Sequence, residues 1–439
     1  MDKPRFLAKL FSILLWLIIF LTVFQFLIGA RNIANYEKQV LEQNIIHEID
    51  NRIERGIDVF TEIKEKEEHY YVSMIKDEIG KVEYEIPKEN DREFSVFLFG
   101  GSSVVFPVGE HMNFPEHLEE KVKNRTEANF SIYNFGMPGV STSTILNSLE
   151  RILEVKEPDM VVIYTGHNDY FLTHHMFTEN TPDIFYDENV LWPLYNSLGP
   201  LIDRESAYMY DSKRITEYRM MTLAHSIGLV DGKRIFDLKK KTDKIIEEEY
   251  FEENIKDIQS LTEERSIDLV FLTTISRIRG VRTEEMFLSK DEMAEFHDFV
   301  DRAESYLEQE EFDRSLEIFG KALDINDNSS KIYERIGEIY EGREEYMKAQ
   351  ENFIKSKDRN VFGQDPRAPS YFNEILRNVE KEKVYTVDVR KKLLEDEDYP
   401  LMDNDFFDSE IHIGGDNTGQ VAEKIFLGLE KRGLIDDFE

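Results

Sequence analysis

The chain contains no cysteine. That absence excludes disulfides, thiolate metal sites, iron–sulfur clusters and a cysteine nucleophile. It leaves the compartment open, since cytosolic and exported proteins alike can lack the residue. Basic residues are few: 54 Lys plus Arg stand against 89 Asp plus Glu, a formal charge of −35 over 439 residues. No long Lys/Arg run relieves this. A nucleic-acid partner needs a basic face, so that class of ligand is excluded. Zinc spacings such as H-E-x-x-H are also missing. His167, Asp169, His174 and His175 lie close in sequence and could ligate a cation, but they fit no such pattern. What is plentiful is core material, with 41% hydrophobic and 12% aromatic residues, and this excludes wholesale disorder. At roughly 150 residues per domain, the length suits two or three domains, or one large domain with insertions.

Long uncharged runs are equally scarce, with one exception. Leu10 to Ala30 gives 21 residues without a charge, dense in Leu, Ile, Phe and Val. As a helix it would be about 31 Å long, close to the hydrocarbon thickness of a bilayer. Lys3, Arg5 and Lys9 precede it, and the slight positive bias places the N-terminus in the cytoplasm and everything after Arg31 outside. A retained single-pass anchor over residues 1–30 is therefore expected. A cleaved signal peptide and a buried helix are the alternatives, and Ile28-Gly29-Ala30 makes a poor cleavage site. Residues 31–91 read as stalk and lead-in. Ile45, Ile46, Ile49, Ile53 and Ile57 fall at near-helical spacing, so a stalk helix is expected to run to about residue 75, either solvated or packed on a neighbouring copy.

From residue 92 short apolar runs alternate with helical patterns. Ser95–Phe99, Phe130–Asn134, Met160–Tyr164, Leu269–Thr273 and Val384–Asp388 read as strands. Ser143–Val155, Tyr250–Arg265 and Ser370–Lys383 read as helices. Strands without polar alternation, separated by helices, predict an α/β fold with a five-stranded parallel sheet flanked by helices. Ligands bind such sheets at the carboxyl ends of the strands. The fold covers 92–295 and 361–439 and is interrupted twice. Residues 171–245, with Trp192 and the His174-His175 pair, read as a helical or loop insertion. Residues 296–360 hold an internal repeat: Ala303, Tyr306, Phe312, Ser315, Phe319 and Ala322 recur 34 residues later as Gly337, Tyr340, Tyr346, Ala349, Phe353 and Ser356. The pattern resembles a pair of tetratricopeptide repeats. Two repeats are too few to stand alone, so they should lean on the α/β domain or on the helix before Ala303, as a protein-docking groove or as a lid.

Four clusters sit where chemistry is expected. Gly100-Gly101-Ser102 follows the first predicted strand, Gly136-Met137-Pro138-Gly139 the second, and Gly166-His167-Asn168-Asp169 the third. Asp408-Ser409-Glu410-Ile411-His412 precedes the last helix. Taken singly, each has a plain structural reading: a Gly-Ser turn, a Pro-Gly turn, a turn closed by Asx hydrogen bonds, and a surface histidine beside an acidic run.

Taken together, their order of Ser, Gly, Asn and then Asp/His resembles the SGNH (GDSL-type) hydrolase superfamily, from about residue 92 to 435. The chain looks most like membrane-anchored members that carry tetratricopeptide repeats between the fourth and fifth strands. Asp365-Pro366-Arg367-Ala368-Pro369-Ser370 also resembles that subgroup. The resemblance implies a flavodoxin-like sheet with no metal or cofactor. It implies Ser102 as nucleophile and His412 as general base. The oxyanion hole would be the backbone N–H groups of Ser102 and Gly139 with the side-chain amide of Asn168. Two positions depart from the family pattern. Gly101 stands where the namesake motif has Asp. The acid usually lies three residues before the histidine, where this chain has Ser409; Asp408, four before, is expected to serve after a one-residue insertion, with Glu410, or a backbone carbonyl or no acid at all, as the alternatives. The implied activity is an esterase working through an acyl-enzyme, on envelope or secreted polysaccharide O-acetyl esters given the outside location. An O-acyltransferase with the same triad, or a non-catalytic scaffold that uses the repeats for protein binding, are the other readings. Arg367 is expected either to pin the repeats to the core or to meet an anionic substrate group.

Overall fold

The computed structural model describes residues 60–76, 80–88, 94–106, 112–126, 129–170, 240, 244, 246–280, 288, 290–359, 367–395, 401 and 405–435. The apolar run Leu10–Ala30, the isoleucines from Ile45 to Ile57, His174, His175 and nearly all of the 171–245 insertion lie outside these residues. Among the described residues no helix is long and apolar enough to cross a membrane.

The first described segment corrects the sequence reading. Instead of a helix running on to about residue 75, the chain forms a three-stranded antiparallel meander of β1 (Phe60–Lys66), β2 (His69–Lys76) and β3 (Gly80–Pro87). The physical signal is alternation with period two. Tyr70, Val72 and Met74, then Val82, Tyr84 and Ile86, place one face of the ribbon against the core, while Glu83 and Glu85, between the last three, are exposed. Polar ties set the docking: Thr61 Oγ1 meets Ser148 Oγ at 3.0 Å, and Tyr84 donates its hydroxyl to the Gly136 carbonyl at 2.9 Å.

The five apolar runs form one parallel sheet: β4 (Phe94–Gly100), β5 (Phe130–Gly136), β6 (Met160–Tyr164), β7 (Asp268–Leu272) and β8 (Val384–Val387), in the order β5-β4-β6-β7-β8. Helices α1 (Phe114–Thr126), α2 (Thr142–Leu153) and α3 (Glu252–Glu263) lie between the first four strands. Four more lie between β7 and β8: α4 (Lys290–Glu308), α5 (Phe312–Ile325), α6 (Ser330–Gly342) and α7 (Tyr346–Asp358). The chain then adds α8 (Ser370–Asn378) before β8, and α9 (Val389–Leu394) and α10 (Thr418–Glu430) after it.

The strands are apolar on both sides because both sides are covered. Val96, Leu98 and Val162 face a core built with α1, α9 and α10. Phe97, Phe99 and Ile163 face a second core built with α2, α3, α8 and the meander. The chain lays β5 on one side of β4 and then crosses to lay β6 on the other. This reversal opens a crevice at the carboxyl ends of β4 and β6, the usual ligand position in such sheets.

The helices between β7 and β8 form two hairpins whose local geometry recurs at the sequence period. Glu310 and Glu344 both adopt φ of +60°. The Glu311 and Glu345 N–H groups both donate to tyrosine carbonyls, of Tyr306 and Tyr340, at 2.9 Å. The hairpins lean on the α/β body: Ala349 and Phe353 join its core, Arg279 pairs with Glu341 at 2.8 Å, and the Gly280 N–H donates to Glu334 at 2.9 Å. Arg367 donates to the carbonyls of Arg277 and Arg279 at 2.9 and 2.7 Å and so braces the segment that carries these contacts.

Ala303 and Gly337 are equivalent in the repeat but not interchangeable. A Cβ on Gly337 would come within 2.6 Å of the Phe353 ring. Gly337→Ala is therefore expected to destabilise the fold by about 1–3 kcal/mol through overpacking. A lowered denaturation midpoint would show it, and an unchanged midpoint would contradict the close α6–α7 packing.

Candidate active site

Ser102 begins the short 3-10 turn Ser102–Val104, directly beyond the end of β4. The turn is possible because two strands end in glycine. Gly100 pairs with Gly136 of β5 on one side and with Tyr164 of β6 on the other. Val104 folds back over these ends, so a Cβ on Gly136 would lie 2.2 Å from Val104 Cγ2, and one on Gly100 would lie 2.7 Å from Val104 Cγ1. The turn thus lifts Ser102 out of the sheet.

His412 arrives on a tight loop between Phe406 and Gly414. Phe407 and Ile413 form an antiparallel bridge, the Asp408 N–H donates to the His412 carbonyl at 2.9 Å, and Phe406 and Ile413 are buried in the core. Two further contacts tie the loop to the sheet. Ser103 donates its hydroxyl to the Ile411 carbonyl at 3.1 Å, and the Arg277 N–H donates to the Glu410 carbonyl at 3.0 Å. Residues 310 positions apart therefore meet, with His412 Nε2 2.8 Å from Ser102 Oγ. Phe106 covers the imidazole, its ring centre 5.0 Å from that of His412.

The third position of this relay differs from the sequence expectation. The group on His412 Nδ1 is the hydroxyl of Ser409, at 2.9 Å. Neither Asp408 nor Glu410 occupies it. The bridge explains this: with the loop closed by the Asp408 N–H···O=C His412 bond, the residue three before the histidine lies beneath the ring. Asp408 is carried to the outside, where its Oδ1 sits about where a Cβ of Gly414 would be approached, at 3.3 Å. Glu410 is drawn to Arg277, at 3.3 Å.

Asn168 follows β6. Its Nδ2 donates to the Val140 carbonyl at 2.8 Å, and an amide nitrogen carries a second hydrogen for a ligand. It packs so closely on the Ser102 turn that a Cβ on Gly101 would come within 2.3 Å of Nδ2. Glycine at position 101 thus leaves room for this amide. Asp169, fully buried, accepts from the Thr142 N–H at 2.8 Å, from the Thr142 hydroxyl at 2.6 Å and from Thr165 at 3.0 Å. Burial pushes its carboxyl upward against these hydrogen bonds. Asn168 and Asp169 together clamp the turn that carries Gly139, whose φ of +74° suits only glycine readily.

A small pocket beside Ser102 is walled by Gly101, Tyr164, Gly166, His167, Asn168 and Ile411, and has room for about one water-sized sphere, 10 Å³. Gly139 is not among its walls. Tyr164, at its floor, accepts from the Ile275 N–H at 3.0 Å. His167 is spoken for on both nitrogens: Nδ1 accepts from the Ala368 N–H at 3.0 Å, which leaves Nε2 to donate to the Ile275 carbonyl at 3.0 Å. It braces three segments rather than facing a ligand. Among the described residues no group of three His, Asp or Glu is arranged around a metal position.

Burial holds the His412 imidazole below its ordinary value of 6.5, while the nearby charges of Glu410 and Asp408 pull it upward without prevailing. A base must be neutral to accept a proton. The acid limb of the pH–rate profile of kcat/KM is therefore expected below about 6.5, with full rate above it. A limb well above that value would show that another group titrates.

No protein-family model matches the chain, and no curated protein matches it in sequence. Among solved structures the chain is similar to an acetyl xylan esterase, with TM-score 0.32 and 11% identity, covering 76% of this chain and 99% of that one. It is similar to a GDSL-like lipase from Bacteroides thetaiotaomicron, with TM-score 0.32 and 11% identity over 80% and 92% of the two chains. A lipase/acylhydrolase from Enterococcus faecalis gives TM-score 0.29 and 10% identity over 77% and 96%. Likenesses this distant carry no weight for the activity, which has to be read from the side chains.

Proposed function

We propose that this chain is a serine esterase of the SGNH type that works through an acyl-enzyme. The observation that carries the reading is the 2.8 Å contact between His412 Nε2 and Ser102 Oγ at the crevice of the parallel sheet. Serine is a weak nucleophile until a neighbouring base takes its proton. In the first step the Ser102 Oγ–carbon bond forms as the hydroxyl proton passes to Nε2. The developing oxyanion is held by the N–H groups of Ser102 and Gly139 and the Asn168 amide. Collapse breaks the bond to the alcohol, which leaves with the proton from Nε2. A second hydroxyl then gives its proton to His412 and attacks the acyl carbon; collapse breaks the Ser102 Oγ–carbon bond, and Nε2 returns the proton to Oγ. If that hydroxyl belongs to water the reaction is hydrolysis; if to a sugar, O-acyl transfer.

Acetyl esters of envelope or secreted polysaccharide are the substrates we assign. The apolar run Leu10–Ala30 supports a membrane anchor with the catalytic domain outside the cytoplasm. The paired hairpins between β7 and β8 suit docking of a protein partner as tetratricopeptide-like repeats. A fluorophosphonate probe tests the central claim. It should label Ser102 covalently in the wild-type chain and leave His412→Ala nearly unlabelled. Absence of label on Ser102 would overturn the reading.

A further inference from the structure

The imidazole of His412 is gripped by a hydroxyl. Ser409 Oγ lies 2.9 Å from Nδ1 and is itself approached by the backbone N–H of His412 at 3.2 Å and that of Ile411 at 3.4 Å. These contacts fix the serine oxygen under the ring by the turn of the loop, not by a free rotamer. The two carboxylates of the same loop stand aside, Asp408 toward Gly414 and Glu410 on Arg277. Resting on the esterase reading above, we infer that Ser409 is the positioning residue of the relay, an uncharged acceptor where a carboxylate would ordinarily hold the base.

The chemistry of the two acceptors differs. A carboxylate can only accept, so it forces the tautomer with hydrogen on Nδ1 and leaves Nε2 bare for the serine proton. A hydroxyl can accept or donate. Its ground-state grip on the tautomer is weaker. Once Nε2 has taken the Ser102 proton, however, both ring nitrogens are donors, and Ser409 must accept. The positive charge formed then is answered by the Ser409 dipole in contact and by Asp408 and Glu410 at a distance, with Arg277 offsetting Glu410. Among the groups facing the imidazole, Ser102 and Phe106 add no charge. The structure therefore assigns this chain a base that works without a contact counter-ion.

The test uses the full chain, with two readouts. In the ester assay, Ser409→Ala should lower kcat by about 10–100-fold with little change in KM, and Ser409→Thr should restore most of it, because the acceptor returns. Ser409→Asp should raise kcat by about tenfold and move the acid limb up by about one pH unit, since a contact carboxylate favours the imidazolium. Asp408→Asn and Glu410→Gln should each cost less than about threefold. The second readout needs no turnover: NMR titration of nitrogen-15 histidine, assigned with His412→Asn, should show the His412 midpoint rising in Ser409→Asp. If Ser409→Ala keeps the wild-type rate and pH profile while Asp408→Asn loses both, the inference is overturned. If no variant turns over an ester and Ser102 takes no label, the esterase reading fails, while the titration still decides what holds His412.

Discussion

Ser102→Ala is expected to lower hydrolysis of a short-chain activated ester by about 10⁴-fold or more, and His412→Ala by a comparable factor. The double variant should be no worse than either single one. The argument is geometric. One proton has to move between Oγ and Nε2 across the 2.8 Å contact, and either substitution removes that transfer completely. Neither side chain anchors the fold, because the loop is held separately by the Ser103 hydroxyl on the Ile411 carbonyl and by the Arg277 N–H on the Glu410 carbonyl. Thermal denaturation midpoints should stay near wild type while the rate collapses. Additive losses would mean that the two residues act in separate steps, and an active Ser102→Ala protein would remove the serine from the chemistry.

The second large effect is expected at Gly101, where the Asn168 amide takes the space of a side chain. Gly101→Asp should cut kcat by about 10²–10³-fold, close to the loss from Asn168→Ala. A Cβ at this position falls 2.3 Å from Asn168 Nδ2, and nothing else comes within 3.4 Å of it. The side chain that must yield is the end of a flexible amide rather than backbone, so the cost falls on the oxyanion donor and the fold survives. Combining the two substitutions should therefore add little. If Gly101→Asp retains wild-type kcat, the Asn168 amide has room that this packing denies it, and its role as donor would need another support.

Much of this site could be read along the chain, for a reason tied to strand chemistry. Buried parallel strands are short uninterrupted apolar runs; Met160–Tyr164 coincides with its run to the residue, and the other four strands differ from theirs by at most two positions at either end. Their ends carry the glycines that a sharp turn needs, and this alone puts Ser102 and Asn168 at strand ends. The meander escaped because the isoleucine spacing upstream suggested a helix. The alternating Tyr70, Val72 and Met74 carried the opposing signal, and burial of that face against α2 and β5 decided for strands.

The distinction between Asp408 and Ser409 shows where sequence order stops being informative. Counting back from His412 offered a carboxylate at four residues, a hydroxyl at three and a carboxylate at two, and chemical preference favoured the acids. Which one meets Nδ1 depends on how the loop closes, and the bridge between Phe407 and Ile413 settles it for Ser409. The sequence alone determined the alternation of strands and helices, the period of the repeat and the residue types able to act as nucleophile, base and donor, because local pattern and side-chain chemistry are properties of the chain. Only the tertiary structure decided that Ser102 and His412 touch, that the Asn168 amide fills the space beside Gly101 and that a hydroxyl lies on His412 Nδ1. Each of these is a distance between segments far apart in the chain, set by packing that no local pattern encodes.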